Sequence, residues 1–145
     1  MLILKFIATL SSALFAGAAL YITLVEQPVR AVLEARAALA QWAPSYQRAT
    51  LLQAPLALVS LAAGLGAWLT GAGALWALAA VLIGAVVPFT LVVIMRTNRA
   101  LLSAGPEAPA TLLRALLSRW GALHAVRTLL SLTATLLYIW LDLAA

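Results

Sequence analysis

Residues 49–95 read ATLLQAPLALVSLAAGLGAWLTGAGALWALAAVLIGAVVPFTLVVIM, and no charged side chain stands between Arg48 and Arg96. At 1.5 Å per residue, a helix of about 20 residues crosses the roughly 30 Å hydrocarbon layer of a bilayer. The stretch is too long for one crossing and suits two, with Thr70-Gly71-Ala72-Gly73 supplying the tight turn. A hairpin of two transmembrane helices is therefore the centre of the fold.

Both flanks extend the pattern. Phe6 to Val25 is a run of 20 residues without charge, between Lys5 and Glu26. A last apolar run goes from about Gly121 to Leu141, interrupted only by His124 and Arg127. The sequence thus predicts helices near 2–25, 51–70, 74–95 and 110–141, the last with its span at 121–141. Composition agrees: 66% of the 145 residues are hydrophobic and 9% are charged, with mean hydropathy +1.09. A soluble surface of this size takes about 25% charged residues, so lipid must act as part of the solvent. The expected fold is an all-α integral membrane four-helix bundle, one domain over 1–145, with helical extensions on the cytoplasmic side. Lys5, the apolar run and Ala16-Gly17-Ala18 imitate a signal peptide, but the run continues to a full spanning length.

A net charge of +5 would suggest nucleic acid in a soluble protein. Here the cations are almost all arginines in the connections and report orientation instead. The two long connections, about 26–50 and 96–120, hold Arg30, Arg36, Arg48, Arg96, Arg99, Arg114 and Arg119, whereas the opposite side holds Lys5 and Asp142. The asymmetry predicts a multi-pass protein of the cell (inner) membrane with both long connections cytoplasmic and both termini outside. Val29 to Gln41 reads as a short interfacial helix stopped by Pro44. Ser103-Ala-Gly-Pro-Glu-Ala-Pro109 is the strongest break, and from Thr111 the pattern stays helical into the last span.

Few polar residues interrupt the spans, and those few fall into stripes. Trp120, His124, Arg127, Thr128, Ser131, Thr135 and Tyr138 are joined by steps of three and four along one face of the last helix. Helix two carries Tyr46, Gln53, Ser60 and Gly64, and helix three carries Thr90, Thr97 and Asn98 above a bend at Pro88. Helix one offers Glu26, with Thr23 one turn below. Ionisable groups at membrane depth are costly and face a bundle interior. Arg127 therefore either pairs with Glu26 or snorkels to the headgroups. His124 reads either as part of a site or as an interfacial histidine beside an aromatic belt; the hydroxyls read as interhelical glue. Ala13, Ala16, Gly17, Gly64 and Gly66 read as close-packing positions, and Trp68, Trp76 and Trp140 as belt anchors.

Cysteine is absent, which removes thiol redox chemistry and thiolate metal sites. One histidine and one or two carboxylates make a poor metal site, and no phosphate-binding glycine loop occurs. No cofactor is expected.

With those residues in hand, the chain resembles a family of small membrane proteins that includes the anthrone oxygenases. The resemblance lies in Phe15-Ala-Gly-Ala-Ala-Leu-Tyr21 through Glu26-Gln-Pro28, and in Trp42-Ala-Pro-Ser-Tyr46 with Arg48. It continues in Pro88-Phe-Thr90 followed by Thr97-Asn98, and in Trp120-Gly-Ala-Leu-His124-Ala-Val-Arg127. Arg96 departs from the pattern, where a proline is expected before Thr97. The resemblance implies a cofactor-independent monooxygenase acting on a fused-ring, anthrone-like ketone. A base removes a proton next to the ketone, the carbanion reacts with O₂, and the protein stabilises the anion. In that frame His124 or Glu26 serves as base, and Arg127 and Asn98 hold the enolate oxygen. Tyr46, Gln53, Thr90, Trp120 and Thr128 would contact the substrate.

Two other readings stand beside this one. The same polar cluster would serve a binding or transport protein for a small hydrophobic or anionic ligand, or would merely fix helix register. The expected partners are the lipid bilayer and a hydrophobic aromatic ligand, not nucleic acid, with a homo-oligomer left open.

Overall fold

The computed structural model describes residues 1–144 and consists of four long helices, each long and apolar enough to cross a membrane. They are α1 (Leu2–Val32), α2 (Ala35–Ala72), α3 (Ala74–Leu102) and α4 (Ala110–Leu143). Consecutive helices pack against one another and α4 returns to α1, closing a four-membered ring. The described residues contain no strand.

Three connections shape the bundle. Gly71 and Gly73 adopt φ of 96° and 101°, which only glycine takes without steric cost, and they turn α2 into α3. Pro109 precedes α4, and Arg36 pins the segment before it by donating to the carbonyls of Pro106 and Ala108. Between α1 and α2 the chain breaks at Leu33 and Glu34, both extended. The Glu34 carboxylate accepts the backbone N–H groups of Arg36 at 2.8 Å and Ala37 at 3.2 Å, so it caps α2.

This corrects the expected interfacial helix over Val29–Gln41. The stop is Leu33–Glu34, and α2 runs unbroken through Pro44 and Pro55. A proline inside a helix costs about 3 kcal/mol. The packing that offsets it is next to Pro44. Trp42 is fully buried, stacks on Tyr46 at 5.0 Å and meets Trp120 edge-on at 5.8 Å. At 38 and 34 residues, α2 and α4 are longer than a bilayer crossing needs, and the end of the bundle carrying Glu34 and Pro109 is called here the polar end.

Two apolar clusters result. Near the turn end, Ala8, Phe15, Ala57, Ala67, Trp76, Ile83, Ala134 and Tyr138 pack together. At the polar end, Ile22, Trp42, Ile94, Leu101, Leu117 and Trp120 form the second cluster. Trp76 belongs to the first cluster and is 1% exposed, with its ring against Tyr138 at 5.1 Å and Lys5 above it. It is thus a core residue and not a belt anchor, whereas Trp68 and Trp140 are exposed. Gly64 is a true close-packing position, since a Cβ there would lie 2.0 Å from the Tyr138 hydroxyl. Gly17 is not, as nothing lies within 4 Å of its missing Cβ.

Candidate functional site

Between the two clusters runs a polar layer, and two widened helical turns frame it. Ile22–Glu26 of α1 and Thr90–Ile94 of α3 are π-helical, their hydrogen bonds closing over one residue more than in an α-helix. The second follows Pro88, which cannot donate to the turn before it. Such turns re-aim the side chains beyond them and are frequent at functional sites.

The upper tier is built around Arg30, which is 3% exposed. Its guanidinium donates to Gln27 Oε1 at 2.8 Å, to Gln41 Oε1 and to the Glu26 carboxylate. Ser45 also donates to Glu26, at 2.9 Å. Arg30 lies over the Trp120 ring at 5.3 Å, and Trp120 stacks on His124 at 4.9 Å. Sequence reasoning missed this residue by counting it among the orientation charges. The available signal was its spacing, since Arg30 stands one turn beyond Glu26 on the same helix face.

That spacing also decides the partner of Glu26. The expected Arg127–Glu26 pair does not form, because Arg30 reaches the carboxylate without crossing the bundle. Arg127 does not snorkel either. It donates through Nη2 to Gln53 Oε1 at 2.9 Å and lies over the Phe15 ring at 5.5 Å.

His124 is 1% exposed. Its Nδ1 lies 3.3 Å from Thr23 Oγ1, which lies 2.8 Å from Thr128 Oγ1. Thr128 in turn approaches the carbonyls of His124 at 3.2 Å and Ala19 at 3.3 Å. Asn98, fully buried, donates through Nδ2 to the Tyr46 hydroxyl at 3.1 Å. Thr90 spends its own hydroxyl on the Val86 carbonyl at 2.7 Å.

Two adjoining spaces bring most of these residues together. A cleft of about 110 Å³ lies between α2 and α3, lined by Phe15, Tyr46, Thr50, Val87, Thr90, Leu91 and Arg127. Leu91 is 60% exposed, so the cleft opens on the lipid-facing side. Behind Tyr46, Thr50 and Arg127 lies a void of about 10 Å³, walled by Arg30, Gln53, Trp120 and His124. That is near the minimum for one water molecule. Thus Tyr46, Gln53, Trp120, His124 and Arg127 share one space, and Thr90 joins Tyr46 and Arg127 in the other. Thr128 stands behind His124. Asn98 reaches the site only through Tyr46, and Glu26 faces a separate crevice with Arg48 on the outer side of α1 and α2.

Several nitrogens in this layer have no partner. Gln53 Nε2, His124 Nε2 and Arg127 Nε are buried without a hydrogen bond, as are Asn98 Oδ1 and Trp42 Nε1. Buried polar groups are normally satisfied, so a concentration of unmet ones makes this layer the candidate site. No group of three His, Cys, Asp or Glu side chains that could hold a metal ion occurs among the described residues.

No curated protein and no solved structure matches the chain. A family model described as anthrone oxygenase matches residues 42–137, about two thirds of the sequence. The matched segment carries Tyr46, Gln53, Thr90, Asn98, Trp120, His124, Arg127 and Thr128. Phe15 to Pro28, where the resemblance was also expected, lies outside it, and with it Thr23 and Glu26. By that match the chain belongs to the anthrone oxygenase family.

Proposed function

We propose that the protein is an oxygenase that converts an anthrone-type ketone to the corresponding quinone with O₂, at the polar layer of its bundle. One observation carries the reading: an apolar, lipid-facing cleft ends on Arg127 and Tyr46, directly in front of a void lined by His124 and Gln53, each of which has a buried unpartnered nitrogen. A flat, fused-ring substrate dissolves in the bilayer and enters between α2 and α3. Its ketone oxygen points at the Arg127 guanidinium and the Tyr46 hydroxyl, whose oxygen accepts from Asn98 and whose proton is left to donate.

His124 is the base. It takes one proton from the ring methylene that is conjugated with the ketone, directly or through a single water in the void. The electron pair moves into the ketone oxygen, and the resulting enolate is held by Arg127 and Tyr46 where bulk water is excluded. The enolate gives one electron to O₂, and the radical pair joins as a carbon–oxygen bond. The imidazolium then returns its proton to the peroxide. Loss of the remaining ring proton with cleavage of the O–O bond releases water and leaves a second ketone. Substrate and O₂ thus become quinone and H₂O, with no external reductant.

The charge asymmetry supports a cytoplasmic polar end, outward termini and residence in the cell inner membrane. Purified protein in nanodiscs, given an anthrone, should consume O₂ above the uncatalysed rate. Binding of anthrone without added O₂ uptake, repeated over a panel of phenolic ketones, would make the protein a carrier or receptor instead.

A further inference from the structure

The hydrogen bonds behind His124 determine which of its two nitrogens can act as a base, and they involve residues with no chemistry of their own. Each threonine hydroxyl has one proton. Thr128 lies within reach of two carbonyls, His124 O at 3.2 Å and Ala19 O at 3.3 Å, and carbonyls can only accept. Its proton therefore goes to a carbonyl, the habit of threonine within a helix. The 2.8 Å contact between Thr23 and Thr128 then needs Thr23 as donor. With the Thr23 proton spent, its 3.3 Å contact to His124 Nδ1 needs the ring to donate.

The opposite direction is worse on two counts. It would leave the proton on His124 Nε2, which is buried and has no acceptor. An orphaned buried N–H is rarer than an orphaned acceptor, because its desolvation is uncompensated. It would also put that N–H beside a void lined by Arg127 and by Arg30, whose charge Glu26 partly offsets, with no carboxylate among its lining residues. A lone pair suits those cations; an N–H does not.

We propose that Thr23 and Thr128 are positioning residues that lock the His124 proton on Nδ1 and leave Nε2 bare, facing the substrate side as the base. The inference deepens the oxygenase reading and rests on it for the meaning of "base", but the proton position itself is a separate, measurable fact. Thr23 comes from the first of the two π-helical turns, which gives that turn a purpose in the site.

His124 is the sole histidine of the chain, so ¹⁵N-histidine labelling gives one imidazole to observe. In nanodiscs the two ring nitrogens separate clearly by shift according to which carries the proton. The expected spectrum has a protonated Nδ1 and a bare Nε2; a proton on Nε2 in the unmodified protein overturns the proposal. Thr128→Val keeps the side-chain shape but removes the acceptor of the Thr23 proton, which then turns to Nδ1. The ring proton should move to Nε2, kcat should fall about tenfold to a hundredfold with little change in KM, and Thr128→Ser should restore both. A Thr128→Val protein whose tautomer does not move also overturns it. A ring proton that sits on Nδ1 and moves to Nε2 in Thr128→Val, in a protein that oxidises no anthrone, supports the tautomer lock and rejects the oxygenase reading.

Discussion

The two halves of this bundle are built from similar helices and treat polar atoms in opposite ways. Near the turn end, the buried hydroxyls of Ser12, Thr135, Ser60 and Tyr138 all have partners. Ser12 and Thr135 bond each other at 2.7 Å, Ser60 donates to the Ala8 carbonyl at 2.8 Å, and Tyr138 donates to the Ser60 carbonyl at 3.4 Å. Small residues let the helices approach there, with Gly64, Ala80 and Tyr138 in direct contact. At the polar end the core includes Trp42 and Trp120, and the five unpartnered buried polar atoms found among the described residues all lie there. An unmet buried polar group costs about 1–3 kcal/mol. The half that can least be explained by stability is the half that holds the candidate site, and the other half is the closely packed one.

Substitutions can break this contrast in either half. The largest effect is expected from His124→Gln, which should lower turnover about 10²- to 10⁴-fold while substrate binding by fluorescence titration persists. Equal loss of binding and turnover would instead make His124 a packing residue. Arg127→Gln removes the group facing the ketone oxygen and should cut kcat about 10²-fold, with KM shifted less, in steady-state O₂ uptake. In the turn-end half the sign of the experiment reverses. Gly64→Ala places a Cβ against the Tyr138 hydroxyl and the Ala80 Cβ, and should cost about 1–3 kcal/mol in detergent unfolding while turnover per folded molecule stays near normal. Tyr138→Phe removes only a long hydrogen bond and should cost about 0.5–1.5 kcal/mol in the same assay.

Legibility from sequence divides along the same line. The four crossings, the Gly71–Gly73 turn and the buried face of α4 follow from hydropathy and the helical period, which are properties of neighbouring residues. The membership of Trp120, His124 and Arg127 in one stripe is of that kind. The partners of the charges are not. Arg30 looked like one more cation in a connection, because its burial depends on Gln41 and Trp120, which come from other helices. Pro44 looked like a stop, and would be one in isolation; the aromatic contacts of Trp42 override it. Trp76 looked interfacial because its distance along the chain from the turn is short, yet its ring points inward to Tyr138. Thr23 reads from sequence only as lying one turn below Glu26, and its contact with His124 is made from within a wide turn.

Those wide turns set the angular phase of everything beyond them. Each residue advances an α-helix by about 100°, whereas a wide turn spreads one extra residue over about the same rotation, so its width decides which way the helix beyond it faces. Tightening Thr90–Ile94 to an ordinary α-helical turn at unchanged length would swing Asn98 about a quarter-circle off the Tyr46 hydroxyl, with every side chain still present, whereas removing one residue along with the tightening would leave Asn98 nearly in place. Length and turn width there have to change together if the site is to keep its register.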